Sequence, residues 1–236
     1  MIKQKLIYVF IFTNILTSVI AQNEVNQFDK DSLRHGLWTK NYHKTDQKRY
    51  EGIFEHGKEV GEFKYYTLKG GKSVLSATKF FNKQDDIALV KFYTSRGKVI
   101  SEGKMDGKNY IGKWTYYHKN SPIVMMSEYY NDQGLLDGER KVFYPNGIIA
   151  EQAQYNNGQL NGVSTWFSKQ GKIIKSYNYT NDKLNGEAVY YDTSQQISSK
   201  GQYKNNMKVG VWNYYDNGIL KKRVDHTKQE VIPIEN

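Results

Sequence analysis

Residues that could carry out catalysis or hold a metal are scarce in this chain of 236 residues. It has no cysteine, which removes thiolate nucleophiles, thiolate metal ligands and disulfides. Its five histidines are His35, His43, His56, His118 and His226, and the first three are close enough in sequence to approach one another. Zinc-binding histidines normally occur at tighter spacing, in the company of cysteine or acidic residues. We therefore predict no metal site and no cofactor.

Motifs of the common enzyme classes are also missing from the sequence. It contains no Gly-x-Ser-x-Gly elbow for a nucleophilic serine and no Gly-x-Gly-x-x-Gly loop for a phosphate. The adjacent acids Asp85 and Asp86 are best explained as loop residues exposed to solvent. A polysaccharide hydrolase is the alternative, because the separation of two catalytic carboxylates is set by the fold and not by sequence spacing. The prediction is a protein without enzymatic activity.

The chain is strongly basic, and the excess charge is concentrated in its middle. The formal net charge is +10, and residues 61–120 hold 12 basic and 5 acidic residues. A patch of this kind attracts anionic surfaces such as lipid headgroups, polysaccharides or nucleic acids. The alternative is a basic face that has no partner and only keeps the protein soluble.

Lysines and aromatic residues lie side by side within this basic stretch. We predict a contact with an anionic surface at six such positions: Lys91, Phe92, Tyr93, Lys113, Trp114 and Lys119. Exposed rings would stack on sugars, on bases or on a partner peptide. The alternative is that the rings form the core of a thin sheet by pairing across strands. That second explanation is favoured for four of the rings: Tyr116, Trp166, Tyr190 and Tyr214.

The first 21 residues have the pattern of a secretory signal peptide. Lys3 and Lys5 precede an apolar run over residues 6–12, and Ala21 ends a small-residue cleavage site. An uncleaved membrane anchor is the alternative, but polar residues interrupt the run before it reaches spanning length. We predict that residues 1–21 are removed and that the protein is exported, to be periplasmic, surface-located or secreted. Nucleic acid is then the least expected partner, and no later segment has transmembrane length.

A glycine that recurs about every 24 residues organises the rest of the chain. The glycines are Gly36, Gly61, Gly112, Gly138, Gly162, Gly186 and Gly210. Their spacings are 25, 51, 26, 24, 24 and 24 residues, and the 51 divides into 27 and 24 if Ala88 replaces a glycine. Aromatic pairs four and five residues later, such as Phe92–Tyr93 and Tyr116–Tyr117, support that placement. A period of this length indicates a repeat protein.

Each unit has the pattern of a β-hairpin. In the unit that starts at Gly138, two runs of strand length flank Tyr144-Pro145-Asn146-Gly147, which is a strong turn signal. Apolar residues within the runs follow a period near two, which favours strands over helices. We predict an all-β fold in which about eight stacked hairpins over residues 36–223 form one elongated, twisted antiparallel sheet. Residues 22–35 and 224–236 would cap the array, and its open terminal strands could pair end to end in a homo-oligomer.

These glycines, aromatic pairs and Tyr-x-Asn-Gly turns resemble the MORN repeat (membrane occupation and recognition nexus). The 24-residue variant is similar to bacterial proteins of the YwqK-type antitoxin family. The likeness is strongest over residues 112–218, where Tyr155-Asn156-Asn157-Gly158 follows the pattern closely, and looser over residues 36–88. The resemblance implies a twisted β-ribbon that acts as a binding or assembly surface for lipids or proteins, and the antitoxin likeness implies a toxin partner.

The sequence therefore predicts a non-enzymatic scaffold or binding module of the bacterial cell envelope. Its partner would be another protein or an anionic lipid or polysaccharide surface. The alternative function is an antitoxin-like neutraliser of a toxin. The predicted export signal argues against that alternative, because such pairing is expected in the cytoplasm.

Overall fold

The computed structural model describes residues 24–234, and all regular structure in that range is β-strand. The predicted signal peptide, residues 1–21, lies outside the described residues. The strands are β1 (Gln27–Phe28), β2 (Arg34–Asn41), β3 (Lys48–Glu55), β4 (Lys58–Lys69), β5 (Lys72–Phe81), β6 (Ile87–Tyr93), β7 (Val99–Asp106), β8 (Asn109–Tyr117), β9 (Val124–Tyr130), β10 (Gly138–Phe143), β11 (Ile149–Asn156), β12 (Gln159–Leu160), β13 (Gly162–Phe167), β14 (Ile173–Thr180), β15 (Lys183–Tyr191), β16 (Ile197–Lys204), β17 (Met207–Asp216), β18 (Ile219–Asp225) and β19 (Glu230–Ile232). No helix in residues 24–234 is long and apolar enough to cross a membrane.

The strands form one open antiparallel sheet in which each strand pairs with its neighbours along the chain. The strands β12 and β13 both pair with β11, and together they form one interrupted strand with a break at Asn161. Sixteen strands of six or more residues make eight hairpins, from β2–β3 to β17–β18. At about 4.8 Å per strand, sixteen strands span about 75 Å. The predicted all-β hairpin array is confirmed.

A β-bulge recurs at the same place in all eight hairpins. The register shifts by one residue between the residues that lie four and five places after the first residue of the unit, just before the hairpin turn. In most units these two positions hold the aromatic pair, as at Phe92–Tyr93 and Tyr116–Tyr117. Bulges increase the local twist of a strand. The aromatic pairs that mark the period in the sequence therefore mark the bulges in the sheet.

The unit that starts at Ala88 differs because its connection to the preceding hairpin is longer. The other unit starts have positive φ angles, such as 60° at Gly112 and 61° at Gly210, which favour glycine. Ala88 lies inside β6, pairs with Phe81 and Met105, and is buried. Residues 82–86 supply the turn instead. An ordinary side chain is therefore accommodated at this one unit start.

Small and large residues face each other between successive hairpins on one face of the sheet, which we call the core face. The rings of Phe63, Trp114 and Trp212 lie directly over Gly52, Gly103 and Gly201 in the preceding hairpin. Where the second strand carries the large residue, as at Tyr177, its partner Ala188 is small. Two buried clusters result, one around Trp114 and one around Trp212. Because each of these large rings lies opposite a small residue, a single sheet can bury them.

Candidate binding surface

Strand alternation puts some lysines on the face opposite the buried rings, whereas Lys79, Lys175 and Lys208 lie over rings of the core face. Register pairs connect one continuous row of side chains across the sheet on the face opposite the core face. We call it the polar row: Thr39, Glu51, Lys64, Thr78, Lys91, Glu102, Thr115, Ser127, Lys141, Gln152, Thr165, Ser176, Val189, Lys200, Asn213 and Arg223. All but one of these residues are polar or charged. We call this side of the sheet the lysine face.

Two of the six predicted contact residues belong to the core face. Trp114 is 0% exposed, and its indole Nε1 donates a hydrogen bond to the carbonyl oxygen of Lys104 at 2.8 Å. Its ring stacks on Tyr110 with centroids 3.8 Å apart. Phe92 is half-buried, with its ring centroid 6.0 Å from that of Trp114. Both rings are part of the core, so neither offers a free face to a ligand.

The four rings that we expected to be core also pack on the buried clusters. Tyr116 contacts the cluster around Trp114, and the other three, Trp166, Tyr190 and Tyr214, contact the cluster around Trp212. The pKa of Tyr190 is raised, chiefly because burial disfavours the phenolate. The aromatic stripe in the sequence is therefore the core of the sheet rather than an exposed ladder.

Lys91, Lys113 and Lys119 are exposed, and Lys91 lies in the polar row. Lys113 shares the lysine face, because it is two residues from Thr115 on the same strand. Lys119 lies in the turn that follows β8. The sixth residue, Tyr93, is half-buried, with its hydroxyl 3.0 Å from Thr78 Oγ1 of the polar row. The structure thus brings Lys91, Lys113 and the Tyr93 hydroxyl to one side of the sheet and leaves Lys119 exposed in a turn.

A groove of about 420 Å³ opens beside Lys91 on the lysine face. Its lining residues are Lys91, Lys98, Val99, Glu102, Tyr117, Asn120, Ser121 and Pro122. Lys91 Nζ lies 3.2 Å from Glu102 Oε2, and the Tyr117 hydroxyl donates a hydrogen bond to Glu102 Oε1. The floor of the groove is therefore a chain of three connected polar groups on β6, β7 and β8.

The electrostatics of the groove follow from these contacts. The hydrogen bond from Tyr117, together with the nearby Lys91 ammonium, lowers the pKa of Glu102 below its ordinary value. The same hydrogen bond, with burial, raises the pKa of Tyr117 to about 12. At neutral pH Glu102 is a carboxylate and Tyr117 a neutral donor. Lys98 adds a second cation to the rim.

Two hairpin turns form the walls of the groove. In the first, Thr94 Oγ1 accepts hydrogen bonds from the backbone N–H groups of Arg96 and Lys98. In the second, the His118 N–H donates to the carbonyl oxygen of Ile123 at 2.9 Å, closing a loop over residues 118–123. His118 Nε2 is also 3.0 Å from the carbonyl oxygen of Phe143 in the next hairpin. The walls are thus held by local turn chemistry and by one contact between hairpins.

The sequence-based prediction missed Glu102 as a functional candidate. A signal for it exists, since a Glu-Gly pair precedes a Tyr-Tyr pair twice, at the same offset. In the earlier copy the Tyr66 hydroxyl donates to Glu51 Oε1 at 2.5 Å, which repeats the Tyr117–Glu102 contact two hairpins away. Comparing units two periods apart would have found the pair. Comparing adjacent units hides it, because the intervening hairpin has Thr78 instead.

A second missed feature is a charged group within the core face, between the two aromatic clusters. Glu128 is 7% exposed, its Oε1 accepts from Arg140 Nε at 3.2 Å, and its Oε2 accepts from the Tyr130 hydroxyl at 2.7 Å. Arg140 Nη1 is also 3.4 Å from Glu151 Oε1. The pKa of Tyr130 is raised, because burial and the Tyr116 and Glu128 contacts favour its neutral form. This network joins hairpin β8–β9 to hairpin β10–β11.

Comparison with known proteins gives one match. A family described as MORN repeat variant matches residues 136–157, the segment that forms the hairpin β10–β11. A search among curated proteins finds no match for the chain. The matched repeat is a non-catalytic module, and the finding indicates a repeat-based binding function.

Proposed function

We propose that this protein is an exported binding module whose lysine face contacts an anionic surface of the cell envelope. The observation that supports it most directly is the separation of groups between the two faces. The large rings are used in the core, while Lys91 and Lys113 are exposed on the lysine face and Lys119 is exposed in the turn after β8. These three lysines of the basic stretch are therefore accessible to a ligand, with Lys91 also paired to Glu102.

The form of the surface favours an extended ligand over a small one. The polar row runs through all eight hairpins, and its hydroxyl, amide and ammonium groups can bind repeated phosphates or carboxylates. Groove walls at the turns of β6–β7 and β8–β9 provide a concave contact in the most basic region. An anionic envelope polymer or a layer of lipid headgroups would present charges over a comparable length.

Salt-dependent binding to vesicles and to cell-wall polymer tests this function. The protein is mixed with phosphatidylglycerol vesicles, neutral vesicles and anionic polymer at salt concentrations from about 50 to about 500 mM. Over this range salt increasingly screens the attraction between exposed charges. The triple variant Lys91→Gln, Lys113→Gln, Lys119→Gln should bind about 100-fold more weakly, because each lysine contributes about 1 kcal/mol at an anionic surface.

The matched control is a triple variant of three exposed lysines from the last three hairpins, which loses the same charge: Lys169→Gln, Lys204→Gln and Lys221→Gln. It should bind at least about 10-fold more tightly than the first triple variant, because its lysines lie outside the basic stretch of residues 61–120. Equal weakening by both triple variants would mean that only net charge matters. That result, or binding insensitive to salt, would reject the proposed contact surface. The vesicle and polymer arms separate lipid from polysaccharide as the source of the anionic groups.

Export is a separate part of the proposal and rests on the signal-peptide pattern of residues 1–21. N-terminal sequencing of the protein from fractionated cells should give Gln22 as the first residue, in an envelope or secreted fraction. An intracellular, unprocessed chain that co-purifies with a toxin would instead favour the antitoxin function. The same experiment therefore distinguishes the two functions.

A further inference from the structure

Two histidines and an aspartate from three separate segments meet at the first hairpin. Asp29 lies in the turn after β1, His35 in β2, and His56 in the turn between β3 and β4. Potential ligand atoms of the three side chains all lie within 4.8 Å of one another. The rings of His35 and His56 have their centroids 5.1 Å apart. The acidic neighbour that the sequence spacing of the histidines lacked is thus supplied by the segment before β2.

The aspartate is held in position before any ligand binds. Its Oδ1 accepts hydrogen bonds from the backbone N–H groups of Asp31 and Leu33, both at 2.9 Å. Its Oδ2 is 2.7 Å from His56 Nδ1. This contact puts a carboxylate oxygen and an imidazole nitrogen, both possible metal ligands, side by side, and a bound metal would replace the proton between them. His56 is well exposed, with 67% of its side-chain surface accessible.

The donor set selects a class of metal. Imidazole nitrogens with one carboxylate suit Zn²⁺ and neighbouring ions such as Cu²⁺ and Ni²⁺, whereas Mg²⁺ and Ca²⁺ prefer oxygen ligands alone. Ligand atoms about 2.1 Å from a tetrahedral ion lie roughly 3.4 Å apart. Because the potential ligand atoms are 4.8 Å apart or less, they have to close by at most about 1.4 Å, a movement that the exposed His56 ring can make by rotation.

We propose that Asp29, His35 and His56 form a Zn²⁺-class metal site that fastens the N-terminal segment to the first hairpin. Apart from this site, the segment is joined to β2 through a two-residue pairing of β1 and the edge-to-face contact of Phe28 with Trp38. Three hydrogen bonds join residues 26–27 to residues 37–39 of β2. A metal bridging Asp29 to His56 would tie this segment to β3–β4 as well as to β2. Because it binds the folded state, it stabilises the array by an amount that grows with the logarithm of the Zn²⁺ concentration above Kd.

Calorimetric titration of the purified protein with ZnCl₂ tests the site. The parent should bind one Zn²⁺ that Mg²⁺ does not replace, and Zn²⁺ should raise its thermal midpoint. His35→Gln and Asp29→Asn should each weaken Zn²⁺ binding about 10-fold or more and abolish the thermal shift. The matched control is His43→Gln, because His43 belongs to the same hairpin but not to the cluster. That variant should behave like the parent.

Circular dichroism of each variant without metal checks that the sheet is intact. If either His35→Gln or Asp29→Asn fails to fold, the other still tests the site. Absence of Zn²⁺ binding by the parent would overturn the proposal. So would equal weakening by His43→Gln, or retention of parental affinity in both cluster variants. The titration is independent of the anionic-surface function, since the site and the groove lie in different hairpins.

Discussion

Replacing Gly103 by alanine should destabilise the protein, although alanine suits strands better than glycine does. Gly103 has no positive φ angle, so its backbone conformation would accept a side chain. Elsewhere in a fold such a change stabilises by about 0.4–1 kcal/mol, because it restricts the unfolded chain. Here an added Cβ would lie 2.5 Å from two ring carbons of Trp114. The steric effect and the unfolded-state effect therefore have opposite signs, and their sizes decide the result.

The structure indicates that the steric effect is larger. Ordinary contact with a Cβ begins at about 3.4 Å, so the ring would have to withdraw by about 0.9 Å. Trp114 cannot withdraw easily, because its Nε1 is bonded to the Lys104 carbonyl oxygen at 2.8 Å and its ring is stacked on Tyr110. Overpacking of this kind costs about 1–3 kcal/mol. We expect Gly103→Ala to lower the free energy of unfolding by about 1–2 kcal/mol.

Urea unfolding followed by far-ultraviolet circular dichroism measures this loss, since that signal does not depend on the tryptophan. Trp114→Leu removes the ring and should itself destabilise, but in that background Gly103→Ala should be neutral or stabilising. The coupling between the two changes should be about 2 kcal/mol. Gly103→Ala that leaves stability unchanged, or that costs the same with leucine at 114, would refute the close ring-to-backbone packing.

Two further perturbations follow from the polar contacts. Arg140→Met should lower the free energy of unfolding by about 3–5 kcal/mol in urea titrations, because it leaves the buried Glu128 carboxylate uncompensated. The double variant with Glu128→Leu should recover most of that loss. A double variant as unstable as the single one would contradict the pairing of Arg140 with Glu128. Tyr117 has its pKa raised to about 12 by Glu102, so its contribution is complete below pH 10 and is lost as the pH rises from about 10 to 12. Over that pH interval the parent should lose about 1 kcal/mol more free energy of unfolding than Tyr117→Phe, after allowance for solvent screening. Chemical unfolding at each pH measures the difference. Parallel curves of stability against pH for the two proteins would show that the Tyr117–Glu102 contact does not contribute to folding.

Much of the fold could be predicted from particular residues because hairpins depend on local chemistry. The Pro145-Asn146-Gly147 turn needs a left-handed residue, and Gly147 has a φ of 82°. The alternation of side chains along a strand assigns Lys113 to one face and Trp114 and Tyr116 to the other, without any knowledge of which strands are paired. The unit starting at Ala88 was located by its aromatic pair alone, and it is a hairpin like the others. Each of these inferences uses interactions within about ten residues of the chain.

The candidate site was predictable only in part, because its contacts cross between hairpins. Sequence adjacency grouped Lys113 with Trp114 as one surface, whereas strand pleating directs one to the lysine face and buries the other. Glu102 has a sequence signal two periods apart, but its contacts with Lys91 and Tyr117 follow from the register of three strands. Lys119, in a turn, kept the exposure expected of it.

The sequence by itself determined that this protein is a chain of β-hairpins, because turn residues and period-two alternation act over a few residues and recur along the chain, with glycine at seven of the eight unit starts. Only the tertiary structure decided which side chains of different hairpins meet: Trp114 over Gly103, Arg140 beside Glu128, and Asp29 between two histidines. The physical reason is register. Each of the eight hairpins contains a bulge, and a shift of one residue moves a side chain to the opposite face. Aromatic pairs mark most of these bulges in the sequence, but the residue opposite each side chain is decided only when successive strands are paired.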